Sequence, residues 1–329
     1  MQSRLEADPL VSICIPVYNA EATIERTLRS VTGQTWENLE IIIVDNLSSD
    51  GTLTRVRAFH DPRIRIVENP VHFTCAEFNW NTCFEHARGE FIALFHADDM
   101  YAPDMIARQV AVFSQFPDVN GVFTNGDMID EQDSLIGSFR LPPGIAGNTP
   151  YTYRDILPVV LEYDNFLLCP SAMVRSGIYK TLAPFRYEQF GSASDLDMWL
   201  RVAKTGRIVI IDKNLLKYRM STTQWSHSLK TTTQARDFFR VMDFHIAENR
   251  TCDLLSADTL AKYELRRLED QVFISLNYAR NGNFSGLWAH TRSMPWGRYL
   301  RIIITKPCIS IPFLAGGFIK LAGNIFRKQ

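Results

Sequence analysis

The sequence predicts an α/β fold: a mainly parallel sheet covered by helices on both faces, with a mostly helical extension at the C-terminal end. Three observations carry this. Short apolar runs of strand length alternate four times with helical stretches over residues 11–95, as right-handed crossovers between parallel strands require. The runs are apolar throughout rather than at every second residue, which suits strands buried on both faces. Each run also stops abruptly in polar or acidic residues, most sharply in Phe91–Tyr101, F-I-A-L-F-H-A-D-D-M-Y.

Val11–Ile15 is the first strand, and Pro16-Val17-Tyr18-Asn19-Ala20 the loop after it. Glu21–Val31 reads as a helix with Ile24, Leu28 and Val31 on one stripe. Leu39–Val44 is the second strand, ending at Asp45-Asn46. Ser48-Ser49-Asp50-Gly51-Thr52 is turn chemistry before a helix with Val56 and Phe59 inward. Ile64–Val67 is a third strand, and Ala76–Ala87 a helix closed by Arg88-Gly89 before the strand from Phe91. Pro103–Phe116 is helical and Val119–Thr124 a strand. The polar stretch from Asn125 to Tyr151 is long for a connection, so it is either a mobile functional loop or carries small strands. Asp155–Tyr163 is helical, Leu167–Val174 strand-like, and Ser176–Leu182 begins a helix. Ser194–Thr205 is an amphipathic helix closing on Gly206, followed by strands at Ile208–Ile211 and Leu215–Met220. The texture changes at Ser221, which places a first domain at residues 1–220 and a helical C-terminal region at 221–329.

With 329 residues, 46% of them hydrophobic, the chain can bury a large core. A formal net charge of -1 gives no argument for a nucleic-acid partner. Cys14, Cys75, Cys83, Cys169, Cys252 and Cys308 show no C-x-x-C spacing, and they read as reduced core thiols of a cytosolic protein. The start, M-Q-S-R-L-E-A-D-P-L, lacks the apolar core of a signal peptide. No run reaches the roughly 18 apolar residues of a spanning helix. Residues 298–329 are nevertheless apolar, aromatic and basic, broken by Pro307, Pro312 and Gly316-Gly317. That pattern suits a peripheral, in-plane membrane contact on the inner face of the cell membrane, with packing on its own domain or on a second subunit of a homo-oligomer as the alternative.

The polar clusters at the strand ends carry the chemistry. Two adjacent carboxylates, Asp98 and Asp99, at the end of a buried strand need a cation, hydrogen-bond donors or solvent. With Pro16–Asn19 and Asp45–Thr52 they form the sheet edge where open α/β folds bind ligands. Such an edge can hold a nucleotide, with Asp45 accepting from the base or ribose and Tyr18 against the base, while a cation on Asp98-Asp99 bridges a diphosphate. A second reading of each residue is structural: Tyr18 as packing, Asn19 as a turn former, Asp45 as a turn cap, Ser48–Thr52 as helix entry.

V-S-I-C-I-P-V-Y-N-A, E-I-I-I-V-D-N-L-S-S-D-G-T, A-R-G-E-F-I-A-L-F-H-A-D-D and S-A-S-D-L-D-M-W-L-R-V-A-K-T-G together resemble the family 2 inverting glycosyltransferases, over roughly residues 10–220. The resemblance implies the Rossmann-like GT-A fold, a nucleotide-diphosphate sugar donor (UDP-sugar foremost), a Mg²⁺ or Mn²⁺ ion, and transfer with inversion to a glycan or lipid-linked glycan acceptor. It implies that Pro16, Tyr18, Asn19 and Glu21 form the first donor-binding loop, that Asp45 reads the base beside Asn46, and that Asn81 and Asp98 belong to the donor site. Asp99, with Asp98, matches the metal ligand, Asp195 the catalytic base, and Trp199 and Arg201 the helix behind it. An inverting transfer needs one carboxylate to take the acceptor proton and no enzyme nucleophile, so the lack of a Ser/His or Cys/His arrangement fits.

Three positions depart from the family pattern. His96 stands where an aspartate is usual and reads as a locally satisfied strand-end histidine. Ser194 replaces the glutamate of a Glu-Asp pair, which leaves Asp195, with Asp197 expected to point elsewhere on the helix. Ser221 occupies a position often held by histidine, and nearby His227 reads as a surface residue. These departures motivate one alternative, a non-catalytic binding or scaffold protein on a degenerate transferase fold. A nucleotidyltransferase is the other, although P-V-Y-N-A-E-A-T offers it no glycine-rich phosphate loop.

Overall fold

Residues 8–221, 232–248 and 254–306 are described by the computed structural model. The chain divides into two compact units, Met1–Leu157 with Asn165–Ser221, and Pro158–Asp164 with Thr222–Gln329.

The first unit is built on β1 (Val11–Val17), α1 (Ile24–Thr32), β2 (Leu39–Asp45), α2 (Thr52–Arg57), β3 (Ile64–Glu68), α3 (Ala76–His86) and β4 (Phe91–Leu94). There follow β5 (Met100–Tyr101), α4 (Met105–Gln115), β6 (Val119–Ile129), β7 (Leu135–Ser138), β8 (Pro150–Tyr151), α5 (Tyr153–Tyr163, which belongs to the second unit from Pro158 on), β9 (Met173–Arg175), α6 (Ser176–Thr181), α7 (Tyr187–Phe190), α8 (Ser194–Thr205) and β10 (Arg207–Arg219). The strand order is β3-β2-β1-β4-β9-β6-β10-β5, with β7 on β6 and β8 on β10. The long ladders, β1 with β2 and β4, β2 with β3, and β6 with β10, are parallel. The antiparallel ones span two or three residue pairs each. The expected fold class is the observed one.

Both faces of the central strands are covered. Ile13, Ile15, Ile41 and Ile43 join Ile24 and Leu28 of α1, Val56 of α2 and Val110 of α4 in one apolar cluster. On the opposite face, Asn79 of α3 donates to the Val44 carbonyl at 3.0 Å. The crossovers place β2 on one side of β1 and β4 on the other, so the carboxyl ends of these strands form a topological switch point.

Two expectations change. Leu167–Val174 is not a strand: Cys169–Ser171 forms a 3₁₀ turn, and only Met173–Arg175 pairs, antiparallel between β4 and β6. Pro170 cannot donate to a ladder, so the apolar run bends before it pairs. Conversely, the two strands expected around Asp212-Lys213-Asn214 are one continuous β10, whose register shifts at Ile211/Asn214 and Asn214/Leu216 absorb the polar residues as bulges. The stretch 125–151 carries small strands, β7 and β8.

Gly89 closes α3 for a reason of space. A Cβ there would lie 2.7 Å from the Leu10 carbonyl oxygen and 2.7 Å from the Ser12 amide nitrogen. Its own amide donates to the Ser12 hydroxyl at 2.8 Å, which in turn donates to Glu40 at 2.6 Å. Arg88 completes the group on Glu40, and together these bonds hold its buried carboxyl below the usual range against the opposing effect of burial.

The second unit, described by itself, contains α9 (Asp237–Ala247), α10 (Ala257–Arg280), α11 (Phe284–Ser293) and α12 (Trp296–Thr305). Ser256 caps α10 by accepting from the Thr259 amide at 3.0 Å. Asp164 receives both Arg236, at 2.6 Å, and Arg266, at 2.7 Å. Leu268, Met294 and Tyr299 pack together under α11 and α12. No helix among the described residues is long and apolar enough to cross a membrane. His227 and residues 307–329 lie outside the described residues, as do Cys252 and Cys308. Cys14, Cys75, Cys83 and Cys169 are free and buried.

Gly89→Ala should destabilise the first unit by about 1–3 kcal/mol, because the new methyl group meets backbone that cannot yield. Urea unfolding of the variant checks this, and an unchanged midpoint would show that the β1 edge gives way freely.

Candidate active site

The first two strand-end loops are locked to each other. Asn19 takes a positive φ of 46° and Leu47 one of 59°, each reversing the chain just past its strand. The Asn19 amide donates to the Ser48 hydroxyl at 2.9 Å, while its side-chain oxygen accepts from the Ser49 amide at 2.8 Å. Ala20 N–H donates to Thr52 at 2.8 Å, and Glu21 accepts from Gly51 N–H at 3.0 Å. Asn19 and Glu21 thus face the neighbouring loop and shape the edge.

Pro16 lies at the end of β1, and beyond it the exposed Tyr18 ring rests on His72 with centroids 4.6 Å apart. Asp45 is buried; Oδ2 accepts from the Ser48 amide at 3.0 Å, whereas Oδ1 has no hydrogen-bond partner among the described residues. Asn46 clamps Phe73, donating to its carbonyl and accepting from its amide, both at 2.8 Å. Asn81 is not brought into this cluster. Its side-chain oxygen accepts from the Phe185 amide at 3.3 Å, in the segment that leads to α8.

The acidic loop after β4 is held mainly through its backbone. Thr23 and Thr27 of α1 donate to the Ala97 carbonyl at 3.0 and 2.9 Å, and Thr27 also donates to that of Asp99 at 2.8 Å. Arg219, at the end of β10, donates its amide to Asp99 Oδ1 at 2.8 Å and its Nε–H to the Asp98 carbonyl at 2.8 Å. The Arg219 guanidinium pairs with Asp133, which Arg26 also holds at 2.8 Å. Arg219 is a residue that the sequence marked only as part of the strand expected at Leu215–Met220, since nothing local says that it reaches back to residues 98–99.

His96, Asp98 and Asp99 each offer a ligand atom, all within 4.8 Å of one another. Asp99 is fully buried and its Oδ2 has no hydrogen-bond partner among the described residues; nor has His96 Nε2. Histidine 96 is therefore not the locally satisfied residue expected: its N–H and carbonyl are both met by the Tyr101 hydroxyl, but the ring nitrogen is not. Burial, with Asp98 adding to it, pushes the Asp99 carboxyl well above its usual range, and burial lowers His96 against the pull of Asp98. The Asp98 carboxylate, together with the unpartnered Asp99 Oδ2 and His96 Nε2, forms a donor set that fits a divalent cation.

On α8, Asp195 and Asp197 have opposite surroundings. Asp197 is fully buried and paired with Arg186, and with Arg201 at 2.9 Å. Trp199 packs edge-on to Phe123 and Phe185 in the core behind. Asp195 is partly exposed; it accepts from the Leu196 amide at 2.6 Å and faces the Asn165 amide group at 3.5 Å. Burial raises its pKa to about 7, with repulsion from Glu77 adding to it and the Leu196 amide opposing. Ser221, in the position of a common histidine, donates to Glu131 at 3.1 Å.

Comparison with known proteins fits this geometry. A relative from Escherichia coli, "UDP-Glc:alpha-D-GlcNAc-diphosphoundecaprenol beta-1,3-glucosyltransferase WfgD", is 30% identical over 221 residues, covering 67% of this chain and 80% of that protein. An uncharacterized glycosyltransferase of Haemophilus influenzae is 27% identical over 68% of this chain and 69% of its own length. Among solved structures, S. aureus TarS 1-349 in complex with UDP-GlcNAc superposes with a TM-score of 0.55 at 16% identity, covering 87% of this chain and 92% of that one. The fold is thus that of the GT-A glycosyltransferases. The family model for glycosyl transferase family 2 matches residues 12–173, and the chain belongs to that family and is a glycosyltransferase.

If Asp195 is the proton acceptor, turnover should fall as pH drops through about 7, because the raised carboxyl is then protonated and cannot accept. Asp195→Asn should remove this limb together with nearly all turnover. A pH–rate profile that stays flat from pH 5 to 8 would contradict the assignment.

Proposed function

We propose that this protein moves one sugar, with inversion, from a UDP-sugar to a hydroxyl of a lipid-linked or growing surface glycan. The observation that carries the reading is Asp195, a partly exposed carboxyl poised at about 7 while its neighbour Asp197 is tied up by two arginines. In the reaction Asp195 takes the proton of the acceptor hydroxyl, and the acceptor oxygen bonds to the anomeric carbon. The bond from that carbon to the diphosphate breaks, and its electron pair leaves with the nucleotide. One carboxylate suffices, since no covalent enzyme intermediate forms.

The orphaned Asp45 Oδ1 is placed to accept from a base or ribose, and Tyr18 to cover the base. Asn19, Glu21 and Asn46 set the loops, Pro16 ends β1, and Asn81 braces the approach to α8. Asp99 and Asp98, with His96, would hold Mg²⁺ or Mn²⁺, which supplies neutralisation of the charge developing on the departing diphosphate. The UDP preference follows the donor named for the Escherichia coli relative, and the lipid-linked acceptor follows its diphosphoundecaprenol acceptor. On this reading residues 1–220 hold the catalytic domain.

The C-terminal helices support a membrane-surface acceptor. Phe284 and Trp288 on α11, and Trp296, Leu300 and Ile304 on α12, recur at every fourth residue and are exposed, Ile304 at 74%. Arg292 and Arg301 stand exposed on the same helices. Amphipathic helices of this kind lie in the plane of an anionic lipid surface, here the inner face of the cell membrane. The triple variant Trp288→Glu, Leu300→Glu, Ile304→Glu should lose flotation with vesicles containing phosphatidylglycerol while keeping UDP binding. Equal flotation of variant and wild type would remove the lipid contact.

Calorimetric titration with UDP, GDP and dTDP, each with Mn²⁺ and with chelator, tests the donor site. Metal-dependent binding of UDP that Asp99→Ala weakens at least tenfold supports the reading. No binding of any nucleotide would point instead to the non-catalytic scaffold.

A further inference from the structure

The α3 helix carries a carboxylate that neither the donor loops nor the acidic loop uses. Glu77 is buried, and its Oε1 accepts from the Ser194 hydroxyl at 2.9 Å. Ser194 is itself fully buried and immediately precedes Asp195 at the start of α8. The two residues are 117 positions apart in the chain, so this pairing is made only by the fold. The first turn of a helix favours an acid, which accounts for a carboxylate at position 77. It does not account for burying that carboxylate against a hydroxyl, where it must be desolvated. Burial holds Glu77 above the usual carboxylate range, with its own backbone amide and the Ser194 hydroxyl opposing.

We propose that Glu77 is a positioning residue for glycosyl transfer: through its hydrogen bond with Ser194 it fixes the first turn of α8, and it sets a second carboxylate against the base. The inference rests on Asp195 being the base. It explains why a serine is tolerated directly before that base, because the second carboxylate arrives from α3. The groups around the pair point the same way. Glu77 faces Asp195 from α3, Cys169 from the 3₁₀ turn and Tyr218 from β10, with the Asn165 amide alongside; Cys75 lies beside Glu77. Burial pushes the Cys169 thiol and the Tyr218 phenol up, so both stay neutral and the charge that reaches Asp195 is that of Glu77. That charge adds to burial in discouraging ionisation of Asp195. A base of this strength matches the operating pH, where general-base catalysis is most effective.

The test compares wild type, Glu77→Gln, Ser194→Ala and Asp195→Asn. UDP release is followed from UDP-glucose or UDP-N-acetylglucosamine, whichever wild type turns over faster, and UDP affinity is measured in parallel. Glu77→Gln keeps an oxygen that can accept from Ser194 but removes the charge. It should keep donor KM and UDP affinity, lower kcat near neutral pH by on the order of tenfold, and move the acid limb of the profile to lower pH. Glu77→Asp, which restores the charge, should move the limb back. Ser194→Ala should lower kcat in the same sense with donor KM unchanged. A Glu77→Gln limb identical to wild type overturns the proposal, as does a Glu77→Gln variant that loses kcat only together with UDP binding, or a Ser194→Ala variant equal to wild type. Retained turnover in Asp195→Asn would instead overturn the assignment of the base, and this inference with it.

Discussion

The site depends on one piece of backbone held under electrostatic load. Asp98 and Asp99 follow a fully buried strand, where two adjacent carboxylates repel each other and neither is well solvated. The fold meets the carbonyls of this loop: Thr27 of α1 donates to those of Ala97 and Asp99, and Arg219 donates to that of Asp98 and to one Asp99 carboxylate oxygen. The other Asp99 oxygen and the His96 Nε2 are left without hydrogen-bond partners among the described residues. A rigid frame around two orphaned lone pairs is costly as pure structure, and it is the form expected of a site preorganised for a cation.

The opposite wall follows a different principle. Asp197 is neutralised by arginines and immobilised, so it anchors α8. Asp195, two residues earlier, is paired with no arginine or lysine among the described residues, and burial, with repulsion from Glu77, raises it to about 7. Two positions apart on one helix, the two carboxylates thereby differ by environment alone. The Tyr18 and Asn19 loop serves both walls: its strained Asn19 is stitched into the β2–α2 loop, and the Thr23 beyond it holds the acidic loop.

Strands β1–β4 were legible from sequence to within two residues, because unbroken apolar runs ending in polar residues leave few alternatives. The acidic pair and Asp45 stood out as polar ends of those runs, and Asp195 as the opening of an amphipathic helix. What escaped was non-local. Pro170 hid a 3₁₀ turn inside an apolar run, and Asp212-Lys213-Asn214 looked like a break where β10 only bulges. His96 read as satisfied because a ring nitrogen's partner cannot be inferred from its neighbours in sequence. Glu77 and Arg219 act on residues more than a hundred positions away, and no periodicity announces such a contact.

The most direct measurement is a crystal structure grown with UDP and Mn²⁺, with anomalous scattering collected to locate the manganese. The account predicts one peak within bonding distance of Asp99 Oδ2, with His96 or Asp98 beside it and the uracil edge at Asp45. Nucleotide bound with manganese elsewhere, or with Asp99 still uncoordinated, would contradict it.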